Sequence, residues 1–406
     1  MPLTESETKI ARAIADRATP LLDDLRRHVN TPTGRHHPHG LDDPRAVLTA
    51  RLEALGATTT IVRGDPKPAW LDGQPAGGIP PTAICDRLRN ATERRVLIAG
   101  HLDTVHDPAS DFNALNIAPD GKTATGPGCV DMKGGLVIAL HALEALEDTG
   151  TDVAWTYLLN SDEETGTFHS TAALAEASTK HDLGIALEPA LADGSLAIAR
   201  VGSGQFMIET KGRAAHVGRA FTEGVSAVTA LAKALVAVGD MPEPEVGRVL
   251  NIGPLEGGVA ANAVPDHARA WGNCRYPDTD AAAIIEDQLR AIETAPDAMP
   301  SVRVETLFNR PAKPMTPAVE AFGLAARSVA EDLGQQLPFA KTGGVCDGNI
   351  MQHAGLPTID TLGVRGGGLH TPDEWIDLTS LVERCQLLAI LLARIAEGRV
   401  AIPNTP

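Results

Sequence analysis

The run Ser161-Asp162-Glu163-Glu164-Thr165-Gly166 follows directly on the apolar segment 153–159. Neighbouring side chains at a strand end point to opposite sides, so Glu163 and Glu164 are unsuited to one shared job. An isolated acidic triplet is most simply a solvated turn. Four other segments argue against that reading here. "GHLDTVH" carries His101 and Asp103, "GPGCVDMKGG" carries Asp131 just before a helical pattern, "ALEPA" carries Glu188, and "GVRGGGLHTPDEW" carries His370. Each is read as lying at the carboxyl end of a predicted parallel strand, where ligands of open α/β sheets bind.

Two histidines and three carboxylates can hold two divalent ions, one carboxylate bridging. Mixed nitrogen and oxygen ligands favour zinc, with cobalt or manganese as substitutes. Two such ions about 3.5–4 Å apart share and acidify a water, and a further, non-ligating carboxylate must take its proton. The adjacent glutamates divide accordingly: one binds metal, the other faces the water. An aspartate two residues after His101 is placed to hydrogen-bond the imidazole and fix its tautomer.

The surrounding pattern supplies a scaffold. The near-continuous apolar strands, one from 94 ending near Gly100, then 153–161 and 183–189, alternate with helical segments 134–150 and 170–181, which predicts a largely parallel sheet covered on both faces. From 204 onward the order becomes strand, helix (225–240), two strands (248–258 and 267–277), helix (279–295) and strand (301–308), the order of a ferredoxin-like unit. The α/β alternation then resumes: helix 316–334, a strand near 336–342, helix 348–355, strand 357–364 and helix 378–398. The expected fold is a discontinuous α/β catalytic domain, residues 1–199 and 311–406, carrying an inserted α+β lid and dimerisation domain, residues 200–310.

Of the 406 residues, 35 are Lys or Arg and 52 are Asp or Glu, a formal charge of −17. That balance argues against nucleic-acid or anionic-membrane partners. Five scattered cysteines without a CxxC pair fit a reducing cytoplasm. Residues 1–29 read as one charged amphipathic helix without the apolar core of a signal peptide. No run of about 20 apolar residues suggests a membrane span.

Taken together, "GHLDTVH", "GPGCVDMKGG", "SDEETG", "LEPA", "GRAAHVG" and "LHTPDEW" resemble the motifs of the dinuclear zinc exopeptidases, closest to the glutamate carboxypeptidase branch and related to aminoacylase and succinyl-diaminopimelate desuccinylase. The resemblance runs over nearly the whole chain. It implies that Asp131 bridges two zinc ions, that His101 and Glu188 complete one site, and that Glu164 and His370 complete the other. It makes Glu163 the general base, Asp103 the partner of His101, and His216 a residue that reaches the active site of the other subunit of a homodimer. It places Asn262, Arg275, Arg310, Gly343, Gly344 and Asp347 against substrate. The implied reaction cleaves an amide bond next to a free carboxylate in a small peptide or N-acyl amino acid, with glutamate the first guess for the released residue. An N-acyl amino acid deacylase, a dipeptidase, or an inactive metal-binding regulatory dimer are the alternatives.

Met132, Cys346 and the proline-rich "NRPAKPMTP" depart from that pattern and bear on substrate preference. The tract of His36, His37 and His39 reads as a surface loop. His106 and His169 match no ligand and read as neighbours of the site or surface residues. His141 reads as a packed residue, and Cys129 as a small buried one.

Overall fold

The computed structural model describes residues 2–34, 38–71, 78–88 and 94–403. His36 and His37 lie outside the described residues. Strands Val96–His101, Trp155–Asn160 and Leu183–Ala186 are buried at every position. Strands of that kind need cover on both faces, and their alternate side chains find it. Ile98, Tyr157 and Ile185 share one apolar cluster with helices Lys133–Thr149 and Thr379–Ala396. Leu97, Leu158 and Ala186 share another with helices Thr171–Ser178 and Asp347–His353.

These strands belong to a six-stranded sheet in the order Thr58–Val62, Thr82–Arg87, Trp155–Asn160, Val96–His101, Leu183–Ala186, Thr358–Ile359. The last four run parallel, whereas Thr82–Arg87 is antiparallel to both of its neighbours. The two strands before residue 94 carry only short β-branched runs and escaped the apolar pattern. Phe339–Thr342 lies outside this sheet, in a parallel pair with Leu196–Arg200. The strand expected over 357–364 shrinks to Thr358–Ile359.

The N-terminal segment forms two helices, Glu5–Ala15 and Ala18–Val29, where one was expected. Pro20 accounts for the break. Its ring would clash with the carbonyl four residues back in a continuous helix, and it is tolerated in a first turn. The first helix opens on a capping box between Thr4 and Glu7.

Residues 202–310 form an antiparallel sheet ordered Val249–Gly257, His267–Tyr276, Gly202–Lys211, Ser301–Arg310, backed by helices Ala227–Gly239 and Thr279–Arg290. Its own apolar core includes Phe206, Ile208, Leu231, Ala270 and Ile285. The two chain crossings into and out of this unit are joined. Arg200 and Lys313 exchange backbone hydrogen bonds of 2.8 and 2.9 Å. Their side chains meet at Asp360, which is fully buried: Arg200 Nη2 lies 2.9 Å and Lys313 Nζ 3.2 Å from its carboxylate. "NRPAKPMTP" thus holds a buried cation at the junction, which accounts for part of its unusual composition.

A buried charge left without its partner is far costlier than a lost surface pair. Asp360→Asn strands two buried cations and is expected to lower unfolding stability by about 3–5 kcal/mol. Lys313→Met keeps the Arg200–Asp360 pair and should cost under about 2 kcal/mol. Urea denaturation of the two variants measures the difference.

Candidate metal and substrate site

Strand Val96–His101 ends on His101, Trp155–Asn160 runs into 161–164, and Leu183–Ala186 stops two residues before Glu188. Those three segments obey the strand-end expectation. Asp131 and His370 do not. They sit on loops of a separate four-stranded antiparallel sheet, in which Trp375–Asp377 pairs with Thr123–Thr125 on one side and Gly366–Gly367 on the other. That pairing carries both loops over the ends of the central strands.

All five proposed ligands meet there. His101 Nε2 lies 3.3 Å from Asp131 Oδ1, and His370 Nε2 lies 3.5 Å from Asp131 Oδ2 and 3.3 Å from Glu164 Oε2. Ligand atoms of His101, Asp131 and Glu164 all lie within 4.8 Å of one another. His101 Nε2 and Asp131 Oδ1 are buried and have no hydrogen-bond partner. Buried polar atoms are normally paired, so these two fit a divalent cation. Glu188 joins the cluster as a buried neighbour of His101 and Asp131. His370 adopts a left-handed backbone, φ 62°, unusual for a residue with a side chain.

The electrostatics agree with that reading. Burial, and next the charge of Glu163, raise Glu188 well above the usual carboxylate range. Burial pushes Glu164 up to about 7 against the lowering pull of His370. Burial works to lower His101, but Asp103 and Asp131 outweigh it and raise it well above the ordinary value. Asp131 and then Glu164 raise His370 to about 10. Burial would raise Asp131, yet both histidines hold it far below its ordinary value. Carboxylates that crowd into one buried place, with imidazoles among them, are the donor set of a divalent cation.

Asp103 is the partner of His101, as expected, but chiefly through its main chain, and it has a second part as well. The closest acceptor for His101 Nδ1 is the Asp103 main-chain carbonyl, at 2.9 Å, with the carboxylate at 3.5 Å. The carboxylate accepts instead from the backbone N–H groups of Glu163 and Glu164, at 3.2 and 3.0 Å. One residue therefore fixes the His101 tautomer and aims the acidic pair. Glu163 points to the other side, where Arg310 Nη2 lies 2.7 Å from its Oε1.

A cleft of about 690 Å³ opens from these ligands to the lid. Its catalytic wall includes Pro189, Ala190 and Leu191. Its lid wall is polar: Ser203, Gln205, Asn273, Arg275, Asn309 and Arg310. Gly344 lines the cleft, and its carbonyl accepts from Arg200 at 3.2 Å. Gly343 does not line it. Asp347 does not either. It is buried, and its two oxygens accept from Asn160 at 2.6 Å and Thr167 at 3.0 Å, so it supports the loop beneath Glu163 rather than touching substrate.

His216 and Asn262 sit together on the lid, away from this cleft. Strands Ala215–His216 and Ala263–Val264 pair, Val217 N–H donates to the Asn262 carbonyl at 3.1 Å, and exposed His216 Nδ1 accepts from Gly218 N–H at 3.1 Å. Within one chain neither reaches the ligands.

The departures lie beneath the site. Met132 is buried, and its sulfur accepts the His101 backbone N–H at 3.0 Å. Cys346 is buried at the start of helix Asp347–His353. Neither lines the cleft, so neither acts on substrate preference directly. Cys129 is buried, its thiol pushed up by burial, and its Sγ lies 3.7 Å from the Glu374 carbonyl. His141 packs against Asp24 at 2.8 Å, and His169 Nδ1 lies 2.6 Å from the Asp65 carbonyl. Sequence reasoning missed Glu374, Ser203, Gln205 and Asn273. The last three could have been found from the period-2 alternation of their strands, which sets them opposite the helix-covered face.

Comparison with known proteins agrees with this geometry. Residues 97–394 match the model of peptidase family M20/M25/M40. The chain is 26% identical over 399 residues to carboxypeptidase G2 of Pseudomonas sp. (strain RS-16), covering 96% of this chain and 92% of that one. It is 26% identical over 365 residues to a succinyl-diaminopimelate desuccinylase of Sphingopyxis alaskensis, covering 86% and 92%. The fold superposes on a tripeptidase from Staphylococcus aureus with a TM-score of 0.72 at 20% identity, covering 94% and 99%. With the family match spanning most of the chain and its ligand types gathered at one cleft, this protein belongs to peptidase family M20/M25/M40 and is a hydrolase of the metallopeptidase class.

Proposed function

We propose that this chain is a dinuclear zinc exopeptidase of the carboxypeptidase type. It cleaves the amide bond next to a free carboxylate and releases a C-terminal amino acid, glutamate first. The observation that carries this reading is the placing of Arg275 across one cleft from the ligand set. Arg275 is half-buried, and its hydrogen bonds go to neutral groups: Ser203 Oγ, Asn273 Oδ1 and the Cys274 carbonyl. Among the described residues it has no carboxylate partner, which leaves its charge available to a substrate carboxylate. The 26% identity to carboxypeptidase G2 supports the carboxypeptidase type, and the motif resemblance makes glutamate the first candidate.

His101, Glu188 and Asp131 would hold one ion, and Glu164, His370 and the shared Asp131 the other, with cobalt or manganese able to replace zinc. Bound there, the ions supply an acidified water and a polarised amide carbonyl. The protein's own part is proton transfer and placement. Glu163 takes the proton from the attacking water and returns it to the departing amine. Asp103 keeps the His101 Nε2 lone pair turned inward and holds Glu163 apart from Glu164. Arg275 fixes the terminal carboxylate.

Residues 1–199 and 311–406 act as the catalytic domain and 200–310 as lid and dimer contact. The outer edge of Val249–Gly257 pairs with no strand among the described residues, and Leu255 on it is 62% exposed. Such an edge can pair with a symmetry mate. Exposed His216 then reaches the other subunit's cleft and stabilises the oxyanion. Five buried, unpaired cysteines support a cytoplasmic setting.

A panel of dipeptides and N-acyl amino acids, offered as free acids and as amides, tests the reading. Free acids ending in glutamate should turn over, chelation should stop it, and zinc should restore it. Arg275→Ala should cut kcat/KM for free acids by about 10²-fold and leave the amides nearly unchanged. Preferred hydrolysis of N-acyl amino acids or of dipeptides would select a deacylase or dipeptidase. A metal-loaded protein without turnover on the whole panel would leave the regulatory dimer.

The two glutamates should separate. Glu163→Gln should keep both zinc equivalents by elemental analysis while turnover falls about 10²–10⁴-fold. Glu164→Gln should lose one equivalent. Metal loss that follows Glu163 instead reverses the assignment.

Subunit mixing tests His216. Glu163→Ala and His216→Ala chains, each nearly inactive alone, are refolded together. Action across the dimer gives each mixed dimer one intact site, so about half the dimers are mixed and about a quarter of wild-type activity returns. Action within one chain returns none once exchange is verified.

A further inference from the structure

Glu374 is buried, four residues after His370, and belongs to no ligand set named above. Its carboxylate is saturated. Oε1 accepts from the backbone N–H of Val130 at 2.9 Å and of Asp131 at 3.0 Å. Oε2 accepts from Gly128 N–H at 2.9 Å and lies 2.6 Å from His106 Nε2. Its main-chain carbonyl accepts from Gly126 N–H at 3.2 Å. The loop that carries Asp131 is therefore wrapped around one side chain. The path is tight: Gly128 has φ +70°, and a Cβ there would come within 2.5 Å of the Thr104 side chain.

Three ligand-bearing segments meet at this carboxylate. His106 extends the loop that begins at His101. Residues 128–131 end in Asp131. Glu374 itself closes the turn that directly follows His370, its N–H donating to the Thr371 carbonyl at 3.2 Å. Asp131 faces both His101 and His370, at 3.3 and 3.5 Å, so a shift of this one loop disturbs both halves of the cluster.

We infer that Glu374 is the positioning residue that sets the Asp131 loop against the His370 loop, so that a ligand shared by both ions is in place before any ion arrives. The inference rests on the two-ion reading of the site. It goes further in naming a residue that touches no ion and yet governs both. It also predicts a pattern that loss of an unshared ligand does not give. Glu164→Gln weakens one site, whereas loosening Asp131 weakens the two in parallel.

The experiment measures zinc affinity of the full chain by competition with a chromophoric chelator, alongside urea unfolding of the metal-free protein. In Glu374→Gln an amide nitrogen replaces one acceptor and faces an N–H or His106. Both zinc equivalents should bind about 10–100-fold more weakly and in parallel. His106→Ala keeps all three backbone bonds and guards against a misfolded first variant; it should weaken both equivalents together by a smaller factor, a few-fold. Unchanged zinc affinity with a lowered unfolding midpoint would reduce Glu374 to a structural residue and overturn the inference. Loss of only one equivalent would overturn it too. Wild-type protein that binds no zinc is a separate failure, of the two-ion reading itself, and takes this inference with it.

Discussion

Mutual repulsion among buried carboxylates is the constraint on which the rest of this structure depends. Asp131, Glu163, Glu164 and Glu188 converge at one end of the central sheet. Two unit charges 4 Å apart repel by about 4 kcal/mol at an effective dielectric of about 20. The neighbouring acids show how that load is managed. Asp103 is saturated by two backbone N–H groups, Glu374 by three together with His106, and Asp162 by His169 N–H and Ser170 Oγ. The outer carboxylates spend their acceptor capacity on the scaffold. Among the inner ones Asp131 keeps part of its own: its Oδ1 is buried without a hydrogen bond. This division separates a cation site from an acidic patch more sharply than any count of acids.

The lid answers the same charge pattern from across the cleft. Its strands obey period-2 alternation, so Phe206, Ile208, Ala270 and Cys274 go to the helix-covered core. Ser203, Gln205, Asn273 and Arg275 then fall on the opposite face, and the register sets Arg275 beside Ser203 and Asn273 beside Gln205. One sheet thus builds an apolar core and a polar substrate wall from alternate residues of the same strands. The catalytic side sets proline and apolar side chains at 189–191 beside its charged residues Asp131, Glu164, Glu188 and His370.

Much of this was legible before any coordinates. Helices 133–149, 227–239 and 379–396 follow from periodicity, and Gly150, with φ 75°, ends the first of them in the left-handed conformation that glycine favours. The ligands were legible because metal chemistry restricts residue types so strongly. Residues that act through tertiary contact were harder to see. Asp347 sits in a glycine-flanked loop that looks like a substrate loop, and only its bonds to Asn160 and Thr167 show a support. Met132 looked like a change at the substrate, yet its sulfur lies under the backbone of His101. Glu374 was written in the same motif as His370, but nothing local marks it as the partner of a loop about 245 positions earlier, as the bond from Val130 to Glu374 shows. The strand-end rule failed for Asp131 and His370 because short antiparallel strands such as Gly366–Gly367 carry no detectable apolar period.

Arg310 connects the lid to the chemistry. It is the last residue of strand Ser301–Arg310, three positions before the buried Lys313 at the junction. Its Nη2 lies 2.7 Å from Glu163 Oε1 and 2.6 Å from the Glu163 carbonyl, and it also contacts Thr167 Oγ1. Both Arg310 and Arg275 are paired in register with Ser203, one on each side. The cation beside the proposed base and the cation open to a substrate carboxylate therefore flank a single residue of one strand. A rigid sheet fixes their spacing, so a carboxylate seated at Arg275 is held at a set distance from Glu163. Asp360 grips both chain crossings through Arg200 and Lys313, the latter three positions beyond Arg310, and so ties this strand to the catalytic domain.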